Sequence, residues 1–344
     1  MSENYVLGFF WLFVAGTTAG SFVLPMKFVR RWKWEHLWLV YSVIAFFILL
    51  PAVALASVHH VWQAYEACSF RALAATALFG AGWGIGSVLF GLCVETLGMA
   101  LGFSMVTGIY AALGAIVPLM ILTPDLVWTQ NGLLIVGGNI VMIAGVVVCA
   151  IAGDRRDKQM SRKEAPGTLN PKLSFPVALT LCILSGVFSA MLNFGFAFGM
   201  PIVDAARNLG STKDEGVYAV WLLVVPAGGI LNVGYCLYLL ARRRTWSLLW
   251  RDTVPQDWFH AFMMAFLWSG SLIFYGWGAD HLGRLGPSLG WSLWNAILII
   301  TTFVCGLLTD EWRGAARTDL GTLLVGIAVL IVATIILGLG GAGA

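Results

Sequence analysis

Charge is what this chain has least of. Asp, Glu, Lys and Arg make up 11% of its 344 residues, against about 25% in a soluble domain. That shortage excludes a water-facing globule. The net charge of +3 is too small to suggest nucleic-acid binding. No two of the six cysteines (Cys68, Cys93, Cys149, Cys182, Cys236, Cys305) are spaced as CxxC, and most lie in apolar runs. They read as small hydrophobes, not as metal ligands or disulfides. HExxH, a mid-run Asp pair and a clear Ser–His arrangement are missing too, so the chain is not expected to be an enzyme or to hold a metal or cofactor. The start, Met1-Ser2-Glu3-Asn4-Tyr5, lacks the basic region of a signal peptide, so the first apolar run is expected to be a retained helix.

What is abundant points to lipid. Hydrophobic residues reach 59%, with 40 glycines and 16 tryptophans. Glycine lets membrane helices approach closely, and tryptophan favours the headgroup zone. A spanning helix needs about 20 mainly apolar residues. Ten stretches qualify, here called helices 1 to 10: 5–26, 37–57, 72–93, 99–122, 132–152, 174–198, 216–241, 258–280, 288–308 and 319–340. Each is apolar all round, so periodicity separates lipid-facing from buried faces poorly.

The cations orient these spans. The loops after helices 1, 5, 7 and 9 carry Lys27, Arg30, Arg31, Lys33; Arg155, Arg156, Lys158, Arg162, Lys163, Lys172; Arg242, Arg243, Arg244, Arg251; and Arg313, Arg317. Only Arg71, Arg207, Lys213 and Arg284 lie elsewhere. By the positive-inside rule the odd-numbered loops face the cytoplasm and both termini lie outside. The basic stretch 153–173, with Pro166, Gly167 and Pro171, reads as a cytoplasmic linker between a first unit, 1–152, and a second, 174–344.

The two units resemble each other. Phe90-Gly91, Glu95 and Leu97-Gly98 recur 185 positions later as Tyr275-Gly276, Asp280 and Leu282-Gly283, and Trp83 falls on Trp268. After a three-residue insertion, Gly98, Leu101-Gly102 and Phe103-Ser104 meet Gly286, Leu289-Gly290 and Trp291-Ser292. Gly132, Leu134 and Gly137 meet Gly321, Leu323 and Gly326, while helix 1 meets helix 6 only through Gly16 and Gly186. Five helices is an odd number, so the second copy is inverted relative to the first. The expected fold is an all-α integral membrane protein of ten helices in two inverted five-helix repeats, an architecture common among secondary transporters.

At this point the residues resemble a family. Pro25-Met26-Lys27 through Trp32-Lys33-Trp34-Glu35, Trp83-Gly84-Ile85-Gly86, Leu97-Gly98-Met99, Ser185 to Ala190, Gly228 to Asn232, Phe274 to Gly278 and Glu311-Trp312 are similar to those of the bacterial L-rhamnose–proton symporters, within the drug/metabolite transporter superfamily. The resemblance runs from near one end of the chain to near the other. It implies import of L-rhamnose or a related deoxyhexose with proton symport, by alternating access, in the bacterial inner membrane. Export of drugs or metabolites on the same fold, or uncoupled sugar uniport, stays open. Helices 3, 8 and 9 carry Ser87, Leu89, Phe90, Ser271 and Trp294, less polar than such symporters have there.

A sugar needs hydrogen-bond partners for its hydroxyls and a flat surface for its apolar ring face. Trp83, Gly86 or Ser87, and Phe90 on helix 3 match Trp268, Ser271 and Tyr275 on helix 8. Thr107 and Tyr110 on helix 4 and Trp291 and Asn295 on helix 9 extend the set. So do Thr17 and Ser21 on helix 1, Ser189 and Asn193 on helix 6, and Asn232 in mid-helix 7. The plain reading of a Ser or Thr here is a bond to its own helix; an intramembrane Asn is costlier to bury and weighs more. Asn139 could equally be glue between helices. No carboxylate sits at the centre of a span, so the proton or gate candidates are Glu35, Glu95 and Asp280 near helix ends. For Glu35, beside Lys27, Arg30, Arg31 and Lys33, an ion pair is the plain reading. Helices 5 and 10, the least interrupted, are expected to be peripheral scaffold and the face of a homodimer.

Overall fold

A computed structural model describes residues 4–97, 99–161, 175–251 and 253–342; the side chains of 94–97, 99–104, 160, 161, 175, 178, 213, 341 and 342 are not among those described. Among the described residues, ten helices are long and apolar enough to cross a membrane. Helix 1 is Tyr5–Phe28, helix 2 Trp34–Ser57, helix 3 Phe70–Leu97, helix 4 Met99–Leu122 and helix 5 Gln130–Ser161. Helix 6 is Leu179–Asn208, helix 7 Lys213–Arg243, helix 8 Pro255–His281, helix 9 Gly283–Leu308 and helix 10 Arg317–Ala342. The described residues include no strand. Lipid offers no partner to a backbone N–H or C=O, and a helix satisfies both internally.

Helix 5 runs to Ser161, nine residues beyond its expected end at 152. Hydropathy marks only the lipid-embedded part; past it the helix continues through a polar turn in which Lys158 pairs with Asp154 at 2.7 Å. The expected linker lies mostly in 162–174, outside the described residues. Helix 6 is interrupted at Gly199 and resumes as Met200–Asn208.

Two spans contain π-helical stretches, Val43–Leu49 in helix 2 and Gly286–Gly290 at the start of helix 9. Pro51 has no N–H to offer the turn before it, and the first stretch occupies that turn. Such widened turns re-aim side chains and free carbonyls, and both stretches reach the centre of the bundle.

Helix 1 packs on helices 8 and 9, and helix 6 on helices 3 and 4; helix 7 packs on 3 and 2, helix 2 on 8, and helix 5 on 4 and 10. Two crossings set the spacing. A Cβ at Gly16 would stand 2.6 Å from Ile297 Cβ and 3.0 Å from the Trp294 carbonyl. One at Gly186 would stand 2.5 Å from Ile109 Cβ and 3.3 Å from the Val106 carbonyl. Any side chain at either glycine would push the helices apart.

Candidate functional site

The middle of the bundle is aromatic. Trp83 in mid-helix 3 and Trp268 in mid-helix 8 stack on each other, centroids 5.5 Å apart and planes 17° from parallel. The positions matched in the sequence therefore meet. Phe46, turned inward from the π-helical stretch of helix 2, packs on both, at 5.4 Å from Trp83 and 4.7 Å from Trp268. Tyr41 closes on Phe46 and Trp268. Offset and edge-on ring pairs of this kind contribute about 0.5–1.5 kcal/mol each beyond area burial. Sequence reasoning missed Phe46, because its inward aim depends on the widened turn. Pro51 one turn later was the available signal.

One to two turns along helix 8 lies a second cluster. Tyr275, fully buried, packs on Trp291 at 5.8 Å and Trp294 at 5.3 Å. Its hydroxyl donates to Asn193 Oδ1. Asn193 Nδ2 in turn donates to the Gly114 carbonyl and to the Pro287 carbonyl, both at 2.7 Å. Pro287 lies in the π-helical opening of helix 9. One side chain thus ties helix 6 to helices 4, 8 and 9. Trp294 Nε1 reaches Ser271 Oγ at 3.1 Å and the Ala15 carbonyl at 3.2 Å. Trp291 Nε1 donates to the Tyr110 carbonyl at 3.2 Å.

Asn232 makes a similar bridge between helices 2, 3 and 7. Its Oδ1 accepts from Trp38 Nε1 at 3.0 Å, and its Nδ2 donates to Ser87 Oγ at 3.1 Å. Asn139 donates to Ser292 Oγ at 2.8 Å, so it joins helix 5 to helix 9 as glue. Thr17 and Ser21 bond back to the Phe13 and Thr17 carbonyls of their own helix, both at 2.8 Å. Ser189 sits at the contact of helices 3 and 6, where a Cβ on Gly86 would come within 2.5 Å of its nitrogen. Thr107 and Asn295 are fully buried, and Thr107 Oγ1 and Asn295 Oδ1 have no hydrogen-bond partner.

The gate candidates lie toward the two ends. Glu35, 1% exposed, accepts from Arg243 at 3.0 Å. Its partner is thus on helix 7 and not in the basic run at 27–33, because that run turns outward to other acceptors. Lys27 pairs with Glu311 at 2.5 Å, and the backbone N–H groups of Arg30, Arg31 and Trp32 donate to Asp257 at 2.9, 3.0 and 3.1 Å. Asp280 pairs with Arg207 at 2.5 Å at the opposite end, where His281 faces Asp214 at 3.7 Å and Arg284 meets Asp125 at 2.9 Å. At that end the Tyr65 hydroxyl donates to the Ala219 carbonyl at 2.8 Å. Burial, with a smaller contribution from Cys68, raises its pKa, so it stays a donor. The Glu95 and Phe103 side chains lie outside the described residues.

Asp257 was not singled out from the sequence; an Asp in the first turn of a helix reads as a helix-end charge. Its cage of three N–H donors predicts that Asp257→Ala lowers unfolding stability by about 3 kcal/mol, since hydrogen bonds to a charged group contribute about 1.5–3 kcal/mol each and are not additive. Thermal unfolding in detergent reads this out; a variant that melts with the wild type would show the cage to be dispensable. An apolar groove of about 400 Å³, lined by Phe9, Phe10, Phe13, Leu293, Ile297, Thr334 and Gly338, offers a sugar almost no hydrogen-bond partner.

Ten apolar helices around a centre of stacked tryptophans and bridging amides define a multi-pass membrane protein. Among known proteins, residues 1–343 match the L-rhamnose-proton symport protein (RhaT) family. The chain belongs to that family. An L-rhamnose-proton symporter of Escherichia coli (strain 55989 / EAEC) is 28% identical over 347 residues, covering 99% of each chain. The symporters of the same name from Shigella dysenteriae serotype 1 and Klebsiella pneumoniae subsp. pneumoniae show the same identity and coverage.

Proposed function

We propose that this protein imports L-rhamnose or a related deoxyhexose together with protons, by alternating access. The observation that carries the reading is the family match along the whole chain. The mid-span Trp83–Trp268 stack supports a sugar site at the centre of the bundle. The apolar face of a deoxysugar suits an indole surface, and the polar groups around the stack suit hydroxyls. Alternating access calls for two halves that rock about a shared centre, and inverted repeats provide them. Their support is geometric. Gly16 abuts Ile297 and Trp294 as Gly186 abuts Ile109 and Val106, the glycines being 170 residues apart and their partners 188. The contacts of helix 1 with helices 8 and 9 are mirrored by those of helix 6 with helices 3 and 4. The orientation with both termini outside rests on the cation distribution alone, and the outward faces of helices 5 and 10 are where a second copy would dock.

Uptake into proteoliposomes tests this. Radiolabelled L-rhamnose is expected to accumulate when the outside is made acidic relative to the lumen, and not when a protonophore is added. Trp268→Ala is expected to lower uptake at least tenfold (about 1.4 kcal/mol) while the protein still folds. Uptake that ignores the pH gradient would favour a uniporter, and stabilisation only by lipophilic compounds would favour export.

A further inference from the structure

The amides and hydroxyls of the centre fall into two sets. Asn193, Asn232, Ser271 and the Tyr275 hydroxyl are engaged within the protein. Asn295 Oδ1 and Thr107 Oγ1 are not, and neither are the buried Ser42 and Ser269 hydroxyls of helices 2 and 8; Asn295 and Thr107 are 1% exposed or less. The orientation of the Asn295 amide is set by its other end, which donates to the Trp291 carbonyl at 2.9 Å. The unpartnered atom is therefore the oxygen, which can only accept. A buried acceptor without a donor is costly and calls for an explanation at each position.

The two residues are related in three ways. They are 188 positions apart, the spacing that separates Gly98 from Gly286. They sit on helices 4 and 9, which pack together and are tied by the Trp291 Nε1 bond to the Tyr110 carbonyl. Helices 4 and 9 run in opposite directions, so Thr107 and Asn295, three residues before Tyr110 and four after Trp291, both lie about one turn, roughly 5 Å, to the same side of that tie. They occupy one level of the bundle.

We infer that Thr107 and Asn295 form one polar subsite, a residue from each half, that receives two neighbouring hydroxyls of the sugar. Asn295 Oδ1 accepts from one hydroxyl. Thr107 Oγ1 exchanges a hydrogen bond with the other. The satisfied residues, Asn193 first among them, hold the frame and do not touch substrate. The inference rests on the sugar-transport reading and narrows it to residues.

Two near-isosteric variants test it, Thr107→Val and Asn295→Leu. Each is expected to raise the Kd for L-rhamnose at least tenfold, measured by equilibrium binding to detergent-purified protein. Each is also expected to melt no lower than the wild type without ligand, because it removes an unpaired buried polar atom. A merely structural role predicts the reverse, a lower melting temperature with an unchanged Kd, and that result overturns the inference. Derivatives of L-rhamnose with single hydroxyls replaced by fluorine, which accepts but cannot donate, sharpen the test. One of them should lose affinity for the wild type and match L-rhamnose on Asn295→Leu; additive losses for every derivative would count against the contact. If the wild type binds L-rhamnose and both variants bind it equally, this inference alone falls. If the wild type does not bind it, the substrate reading falls too.

Discussion

Asn193→Ala is expected to destabilise the protein more than any other single polar truncation in its centre and to abolish uptake. The side chain gives two hydrogen bonds, to the Gly114 and Pro287 carbonyls, and receives one from Tyr275. Truncation strands three polar groups in a site with no exposed surface. An unsatisfied buried group costs about 1–3 kcal/mol, without full additivity, so a loss of about 4 kcal/mol is the expected scale. Asn193→Asp should not rescue it, because a carboxylate has no N–H to set against two carbonyls. Thermal unfolding of the purified variants and their uptake in proteoliposomes check this. If Asn193→Ala melted with the wild type and bound sugar less tightly, the residue would be a ligand contact and not a frame element.

The second large effect is expected at the crossing of helices 3 and 7. A Cβ on Gly80 would fall 2.2 Å from the Val224 carbonyl oxygen, and one on Gly84 would fall 2.4 Å from that of Gly228. The obstacle in each case is backbone, which cannot swing aside as a side chain can. Gly80→Ala and Gly84→Ala therefore have to separate the helices, and overpacking of this severity costs about 3 kcal/mol. Separation would also disturb Trp83, which lies between the two glycines and stacks on Trp268. Gly137→Ala is the control, since its Cβ would meet nothing within 4 Å. Expression, melting temperature and uptake should fall for the first two and hold for the third. Equal behaviour of Gly84→Ala and Gly137→Ala would mean that the crossing is looser than the backbone positions imply.

Much of this was legible in the chain itself. A run such as 319–340 is too apolar and too long for anything but a membrane or a large core, and ten such runs match the ten helices found. The 185-residue spacing that aligns Trp83 with Trp268 picked out two residues that meet in the middle of the bundle. Thr17 and Ser21 make the bond expected of such residues within a helix, since the carbonyl four residues back is supplied by the helix itself. Glu35 is ion-paired, but not with the cations adjacent to it in sequence. Its partner, Arg243, is 208 residues away, and sequence proximity says nothing about which helix packs alongside.

What the sequence determined by itself was the solvent, the number of spans, the clustering of cations in alternate loops and the family. Each depends on composition over about 20 residues or on order along the chain, and lipid enforces both through the cost of an exposed charge or backbone amide. Only the tertiary structure decided which polar groups are satisfied. Asn193 and Asn295 are the same residue type, both mid-helix and both fully buried. One is saturated because a widened turn at Pro287 and a close approach at Gly114 bring carbonyls to it. The other has a free oxygen because none of the described residues donates there. Hydrogen bonding is short-ranged and directional, so the assembled helices alone sort frame from candidate contact.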